Sequence, residues 1–178
     1  DPTNPLIEMS PFTGLPPADD QFHPRWTTGS FATNYLHGHP SLDYGAPITP
    51  ESIARLFLAC ELPIPELEVG WFKETLARTI PSKYPQIALL HIDSDLYPSA
   101  REVLFGVEPS LSDGCMVCFD DWFMYKGNPN QGEQRAFREF LVERKDIVVA
   151  TGTGSGKTEC FLVPMLGSLY DEAVRRFA

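Results

Sequence analysis

The sequence predicts an α/β domain built on a mostly parallel sheet, and three observations point there. Apolar runs at Gln86–Ile92, Cys115–Phe119 and Asp146–Ala150 have strand length and strand composition. Stretches with helical spacing lie between them, and strands alternating with helices imply parallel crossovers. Polar residues follow the ends of those runs, where such folds bind ligands.

The elements follow in order. Leu6-Ile-Glu-Met9 reads as the end of a short strand, and Gly14-Leu-Pro-Pro17 turns the chain. Residues 21–50 are rich in Pro, Gly, His and aromatics without periodicity, which predicts a mostly irregular, substrate-facing segment. Thr49-Pro50 followed by apolar residues at helical spacing predicts a helix to Ala59, with Thr49 as N-cap. Leu67–Gly70 is a short strand, and Phe72–Ile80 a helical turn. The run Gln86–Ile92 predicts a buried parallel strand, and Ser99–Val107 an amphipathic helix. Leu111–Gly114 reads as a turn before the second buried strand. Gly132–Arg144 is helical, with Ala136, Phe137, Phe140 and Leu141 on one face. A third strand at Asp146–Ala150 leads to a last helix, Lys157–Phe177, kinked or broken at Pro164.

Composition narrows the function. The 178 residues suffice for a core of ordinary size, and 43% apolar content is normal. A net charge of −10 and a pI near 4.8 argue against a nucleic-acid partner and a polybasic membrane surface. No run of about 18 apolar residues exists, and Asp1-Pro-Thr-Asn-Pro5 does not resemble a signal peptide. Cys115 and Cys118 lie three apart within an apolar strand, hence on opposite faces, so they read as packing thiols rather than a zinc or redox pair. The expected compartment is the reducing cytoplasm.

The carboxylates carry the most chemistry. Asp93 and Asp95 follow one predicted strand, and Asp120 and Asp121 another. If the strands are neighbours, these oxygens converge, and such a cluster repels itself unless a cation neutralises it. An all-oxygen set selects Mg²⁺, Mn²⁺ or Ca²⁺. The alternative is structural, with Asp120 and Asp121 capping a loop and Asp93 capping the helix near Ser99.

Six motifs occur in order: Gly14-Leu-Pro-Pro17, Gly70-Trp-Phe-Lys-Glu-Thr-Leu76, His91-Ile-Asp-Ser-Asp-Leu-Tyr-Pro-Ser99, Leu111-Ser-Asp-Gly114, Phe119-Asp-Asp-Trp122 and Gly132-Glu-Gln-Arg-Ala-Phe137. Together, over about residues 7–144, they resemble the macrocin O-methyltransferase family, which methylates sugar hydroxyls. The resemblance implies a Rossmann-like class I S-adenosylmethionine (SAM) methyltransferase fold and a divalent cation, Mg²⁺ or Mn²⁺. It implies Asp93, Asp120 and Asp121 as metal ligands, with Asp95 and Tyr97 as near neighbours. The acceptor would be a hydroxylated, sugar-like small molecule. A histidine would remove its proton, His37 and His39 ahead of His23 and His91. The family's first strand and glycine-rich SAM loop are expected before Leu6. Ser10 stands where the family places a ribose-binding acid, which leaves Glu8 and Ser10 as the cofactor-facing candidates.

A second motif follows. Thr151-Gly-Thr-Gly-Ser-Gly-Lys-Thr158 fits a phosphate-binding loop, except that Thr151 replaces the leading glycine. Gly154 and Gly156 would let backbone N–H groups wrap a phosphate of ATP, Lys157 would reach the outer phosphates, and Thr158 would ligate Mg²⁺. With Phe161-Leu-Val-Pro-Met-Leu166, this stretch resembles motif I of superfamily 2 (DEAD/DEAH-like) helicases over about residues 144–178. The chain therefore reads as a junction. A methyltransferase-like segment, 1–144, meets the opening of a helicase-like domain, 145–178, and each is expected to be incomplete. In a third reading Ile147–Ala150 only replaces a sheet strand, and the chain is a folded, inactive fusion.

Overall fold

The computed structural model describes residues 5–17, 27–38, 42–143 and 148–149, the last of these and Glu143 as backbone only. In order these form β1 (Ile7–Ser10), α1 (Pro50–Ala59), β2 (Glu66–Val69), α2 (Phe72–Thr79), β3 (Ile87–Ile92), α3 (Tyr97–Val107), a 3-10 turn (Glu108–Ser110), β4 (Leu111–Phe119), α4 (Gly132–Glu143) and β5 (Val148–Val149). Among the described residues these strands pair in parallel, β1 with β2, and β3–β4–β5 in that order. The chain divides between Thr75 and Leu76 into two compact units, the cut falling inside α2.

In the first unit, β1 and β2 pair from Ile7↔Glu66 to Ser10↔Val69. The turn at Gly14 needs its glycine. Its φ is +75°, and a Cβ there would lie 2.3 Å from the Ser30 carbonyl oxygen. The described part of the irregular segment is organised by the buried Asn34. Its side-chain amide donates to the carbonyls of Leu36, Leu42 and Asp43 at 2.8–3.2 Å, and its Oδ1 accepts from the Leu36 N–H at 3.0 Å. Helix α1 starts as its sequence predicts. Thr49 Oγ1 accepts from the Ser52 N–H at 3.2 Å, Ser52 Oγ accepts from the Thr49 N–H at 2.9 Å, and Pro50 fills the first turn.

In the second unit, α3 and α4 pack through Phe105 and Phe140, 5.2 Å apart edge to face, and α4 meets β4 through Phe137 and Phe119, also at 5.2 Å. Ile92, Leu104, Val117, Phe119, Ala136 and Phe140 are buried there. Helix α3 comes close to α2 at Gly106, where a Cβ would lie 2.6 Å from Leu76 Cδ1.

Four expectations change. Leu111–Gly114 is the start of β4, not a turn before it. The ladder runs from Ile87↔Leu111 to Leu89↔Met116, so β4 advances five residues (116 − 111) while β3 advances two (89 − 87). The turn-forming residues, with Gly114 at φ +78°, are absorbed as a bulge. Strands β3 and β4 are buried on one face only. Leu89 is 62% and Met116 48% exposed, because the packing of α3 and α4 covers Ile92, Val117 and Phe119 on the other side. Leu141 stands at the rim of α4's apolar stripe, 38% exposed, since it lies about 140° around the helix from Ala136. Finally, Asp93 does not cap α3. The N-cap is Leu96, with no side-chain cap bond. The expected division at residue 144, the last helix and Pro164 lie outside the described residues, while β5 just beyond residue 144 pairs with β4 through Met116↔Val148 and Val117↔Val149.

Candidate functional site

The register of β3 and β4 builds the site. Ile92 pairs with Phe119, and the Asp120 N–H donates to the Ile92 carbonyl at 2.9 Å, so the two acidic loops leave the sheet side by side. Beyond β3 the backbone turns sharply. Asp95 has φ +58°, in the left-handed region that an aspartate tolerates better than most residues. That turn sends the Asp95 side chain back toward Asp121. Carboxylate oxygens of Asp93, Asp95 and Asp121 come within 4.8 Å of one another.

The electrostatics follow from burial and crowding. Burial raises Asp93, the Asp120 charge adds to this, and His91 opposes it. Asp95 is pushed up to about 7, first by burial, then by the charges of Asp121 and Asp93. Asp121 is raised by burial and by Asp93 and Asp120, while hydrogen bonds from the Asp95 side chain and backbone ease it. Asp95 is thus the aspartate of this cluster that holds a proton most readily, and Asp121 is the neighbour whose charge acts on it most.

Beneath the cluster lies Glu133, in the first turn of α4 and 1% exposed. Its Oε2 accepts from the Asp121 N–H at 3.0 Å, and the backbone amides of Asp121 and Ser94 both favour its charged form. Burial, then the Asp121 charge, pushes it up to about 9. Three buried oxygens of this neighbourhood, Ser94 Oγ, Asp121 Oδ2 and Glu133 Oε1, have no hydrogen-bond partner. Crowded carboxyls with unmet lone pairs are what a hard cation satisfies, and the donor set is all oxygen. The residues present therefore fit Mg²⁺ or Mn²⁺.

The structure sorts the sequence candidates. It brings Asp93 and Asp121 together and adds Asp95, which the resemblance leaves outside the ligand set. Asp120 lies within electrostatic reach of both but is not among the three converging side chains. Tyr97 is turned toward α4: its hydroxyl donates to Glu139 at 2.8 Å, and the Arg135 guanidinium lies 3.8 Å from its ring centroid. Arg135 and Arg101 hold the same Glu139 carboxylate at 3.0 and 3.4 Å. In the first unit Glu8 is half-buried on β1, and burial raises it. Ser10 Oγ accepts from the Phe12 N–H at 3.2 Å. His37 is exposed and stacked flat on Tyr44, 4.2 Å between ring centroids. Cys115 and Cys118 are free thiols raised by burial, so neither is an activated thiolate. His39, Gly154, Gly156, Lys157 and Thr158 lie outside the described residues. Sequence reasoning missed Glu133. The signal was an acid directly after Gly132 at a helix start, inside a motif already recognised.

A parallel sheet with acids at its carboxyl end, flanked by helices, defines an α/β fold of the Rossmann-like methyltransferase class. The chain belongs to the macrocin O-methyltransferase (TylF) family, whose family model matches residues 11–146. A DEAD/DEAH box helicase model matches residues 130–177, so α4 falls within both. Among solved structures, the fold is similar to the calicheamicin methyltransferase CalS11 (TM-score 0.52, 24% identity, 79% of this chain and 53% of that one). It is also similar to the O-methyltransferase NovP (TM-score 0.53, 23% identity, 78% and 52%). The chain is 49% identical over 49 residues to the Druantia protein DruE of Escherichia coli (strain UMEA 4076-1). That match covers 27% of this chain and 3% of DruE, and the chain spans about half the length of each solved methyltransferase. Among the described residues no helix is long and apolar enough to cross a membrane.

Proposed function

We propose that this chain carries the cation-assisted acceptor site of an O-methyltransferase acting on a hydroxylated, sugar-like small molecule in the cytoplasm. The convergence of Asp93, Asp95 and Asp121, with Asp121 Oδ2 left without a hydrogen-bond partner, carries this reading. Asp93 and Asp121 would hold the ion, with Asp120 or Asp95 as the third carboxylate. A bound Mg²⁺ or Mn²⁺ would neutralise the cluster and acidify an acceptor hydroxyl. The protein's own groups then orient that hydroxyl at the sheet end and receive its proton. His37 and His39 are the candidate bases, and His91 is the histidine whose charge acts on Asp93. SAM would supply the methyl group. Among the described residues Ser10 offers a hydroxyl already accepting from Phe12, not the carboxylate a ribose diol calls for. Mn²⁺ titration by calorimetry should show binding that Asp121→Asn weakens by more than about 100-fold. Equal affinity in that variant would sink the metal assignment.

The helicase match supports a second reading, an ATP-binding segment in which Gly154, Gly156, Lys157 and Thr158 cradle phosphates. Lys157→Ala should then abolish any nucleotide binding measured by fluorescence titration. Phosphate release above background, lost in the same variant, would make this the chain's principal activity.

A further inference from the structure

We propose that Glu133 is a positioning residue that sets the spacing between the two acidic loops, and so the geometry offered to the cation. The proposal rests on the cation reading above. Glu133 cannot reach solvent and is not one of the converging carboxylates. Its carboxyl group instead ties both loops. It accepts from the Asp121 N–H at 3.0 Å on the β4 side, and the Ser94 backbone amide, between Asp93 and Asp95, acts on it electrostatically from the β3 side. Ser94 is itself buried, so this tie lies under the site rather than at its rim.

The start of α4 is shaped for this. Gly132 has φ +53°, and a Cβ there would lie 2.5 Å from the Tyr125 ring, so a residue without a side chain is needed directly before Glu133. The next residue, Gln134, donates from Nε2 to the Trp122 carbonyl at 2.6 Å. The first turn of α4 therefore grips the Asp120–Trp122 loop at two points, with the buried Ser94 of the Asp93–Asp95 loop beside Glu133. Like-charged loops at adjacent strand ends push apart. A buried carboxyl bonded to one loop and set against the backbone of the other fixes their spacing. A buried acid costs stability wherever it stands, and a leucine of similar size would not. The position is better explained by what Glu133 holds than by packing.

The test is Mn²⁺ binding, followed by electron paramagnetic resonance, in the whole chain and in E133Q, E133L and D121N. E133Q keeps the shape and one oxygen acceptor. It should bind about 10-fold more weakly than the parent, E133L about 100-fold, and both should give a bound-Mn²⁺ spectrum changed in line shape. Q134A, which removes only the Trp122 tie, should fall between the parent and E133Q. If the parent binds Mn²⁺, D121N does not, and E133Q matches the parent in affinity and line shape, the positioning role is overturned while the metal centre stands. If the parent itself fails to bind, the cation reading is overturned and this proposal with it. Should E133L fail to fold, E133Q and Q134A still decide.

Discussion

On β1 and β2 stand the half-buried Glu8 and the buried Glu68, with a serine hydroxyl at the carboxyl end of β1 committed to its own turn. At the carboxyl end of β3 and β4 stand four aspartates with a glutamate buried beneath them. Both are parallel strand pairs followed by loops that turn on positive-φ residues, Phe12 in one and Asp95 in the other. Parallel topology thus supplies a place for chemistry but not the chemistry. The second pair differs because α4 delivers a buried carboxyl that accepts from the Asp121 N–H, beneath acids that repel one another.

The largest effect expected is on stability against pH in the cation-free chain. Asp93, Asp95, Asp121 and Glu133 are all raised, so the folded state binds more protons than the unfolded one. Stability is then fullest below the ordinary carboxylate values of 3.8 and 4.5, and falls as pH climbs toward about 7 for Asp95 and about 9 for Glu133. Thermal melts in chelator should lose on the order of a few kcal/mol between pH 5 and 9. Glu133→Gln should flatten the upper part of that slope, and added Mg²⁺ should restore more stability at pH 9 than at pH 5. Melting temperatures that hold steady or rise across this range would contradict the crowding described above.

Next comes the choice of third ligand. Asp95 converges with Asp93 and Asp121, whereas the resemblance names Asp120. If the geometry governs, Asp95→Asn costs about 100-fold in Mn²⁺ affinity and Asp120→Asn about 10-fold. The reverse ranking would show that the loops rearrange around the ion and that the ligand set inferred by resemblance holds.

A smaller gain is expected from making the first pair resemble the second. Ser10→Asp restores a carboxylate at the end of β1 and should tighten SAM binding by roughly 10-fold, since hydrogen bonds to a charged group contribute about 1.5–3 kcal/mol. Equilibrium dialysis measures it, and no change would remove the β1 end from the cofactor site. Smallest is Thr49→Ala, which removes half of the reciprocal cap on α1 and should cost about 1 kcal/mol in urea denaturation. A loss within error would mean that Pro50 and Ser52 suffice to start the helix.

Much of this was legible in the sequence, for local reasons. The Thr49 cap, the Gly14 turn and the helical face of Ala136, Phe137 and Phe140 depend on residues within a turn or two of each other. The bulge at Ser112–Gly114 was not, because a polar, glycine-containing stretch looks the same whether it ends a strand or is carried within one. The half-exposed sheet was not, because apolar content in β3 and β4 does not say which neighbours pack where. Asp93, Asp95, Asp120 and Asp121 were visible as candidates, since each follows a strand.

What the sequence determined by itself is therefore the α/β class, the family, the order of elements and the acids available at the strand ends. These depend on periodicity, capping and motif content along the chain. The tertiary structure alone decided which of those acids meet. Asp95 joins Asp93 and Asp121 because β3 and β4 pair at Ile92↔Phe119 and the chain reverses at φ +58°. Glu133 reaches both loops because α4 returns over the sheet end about 40 residues after Asp93 (133 − 93 = 40). Contacts across that separation depend on register and packing, which no local pattern encodes.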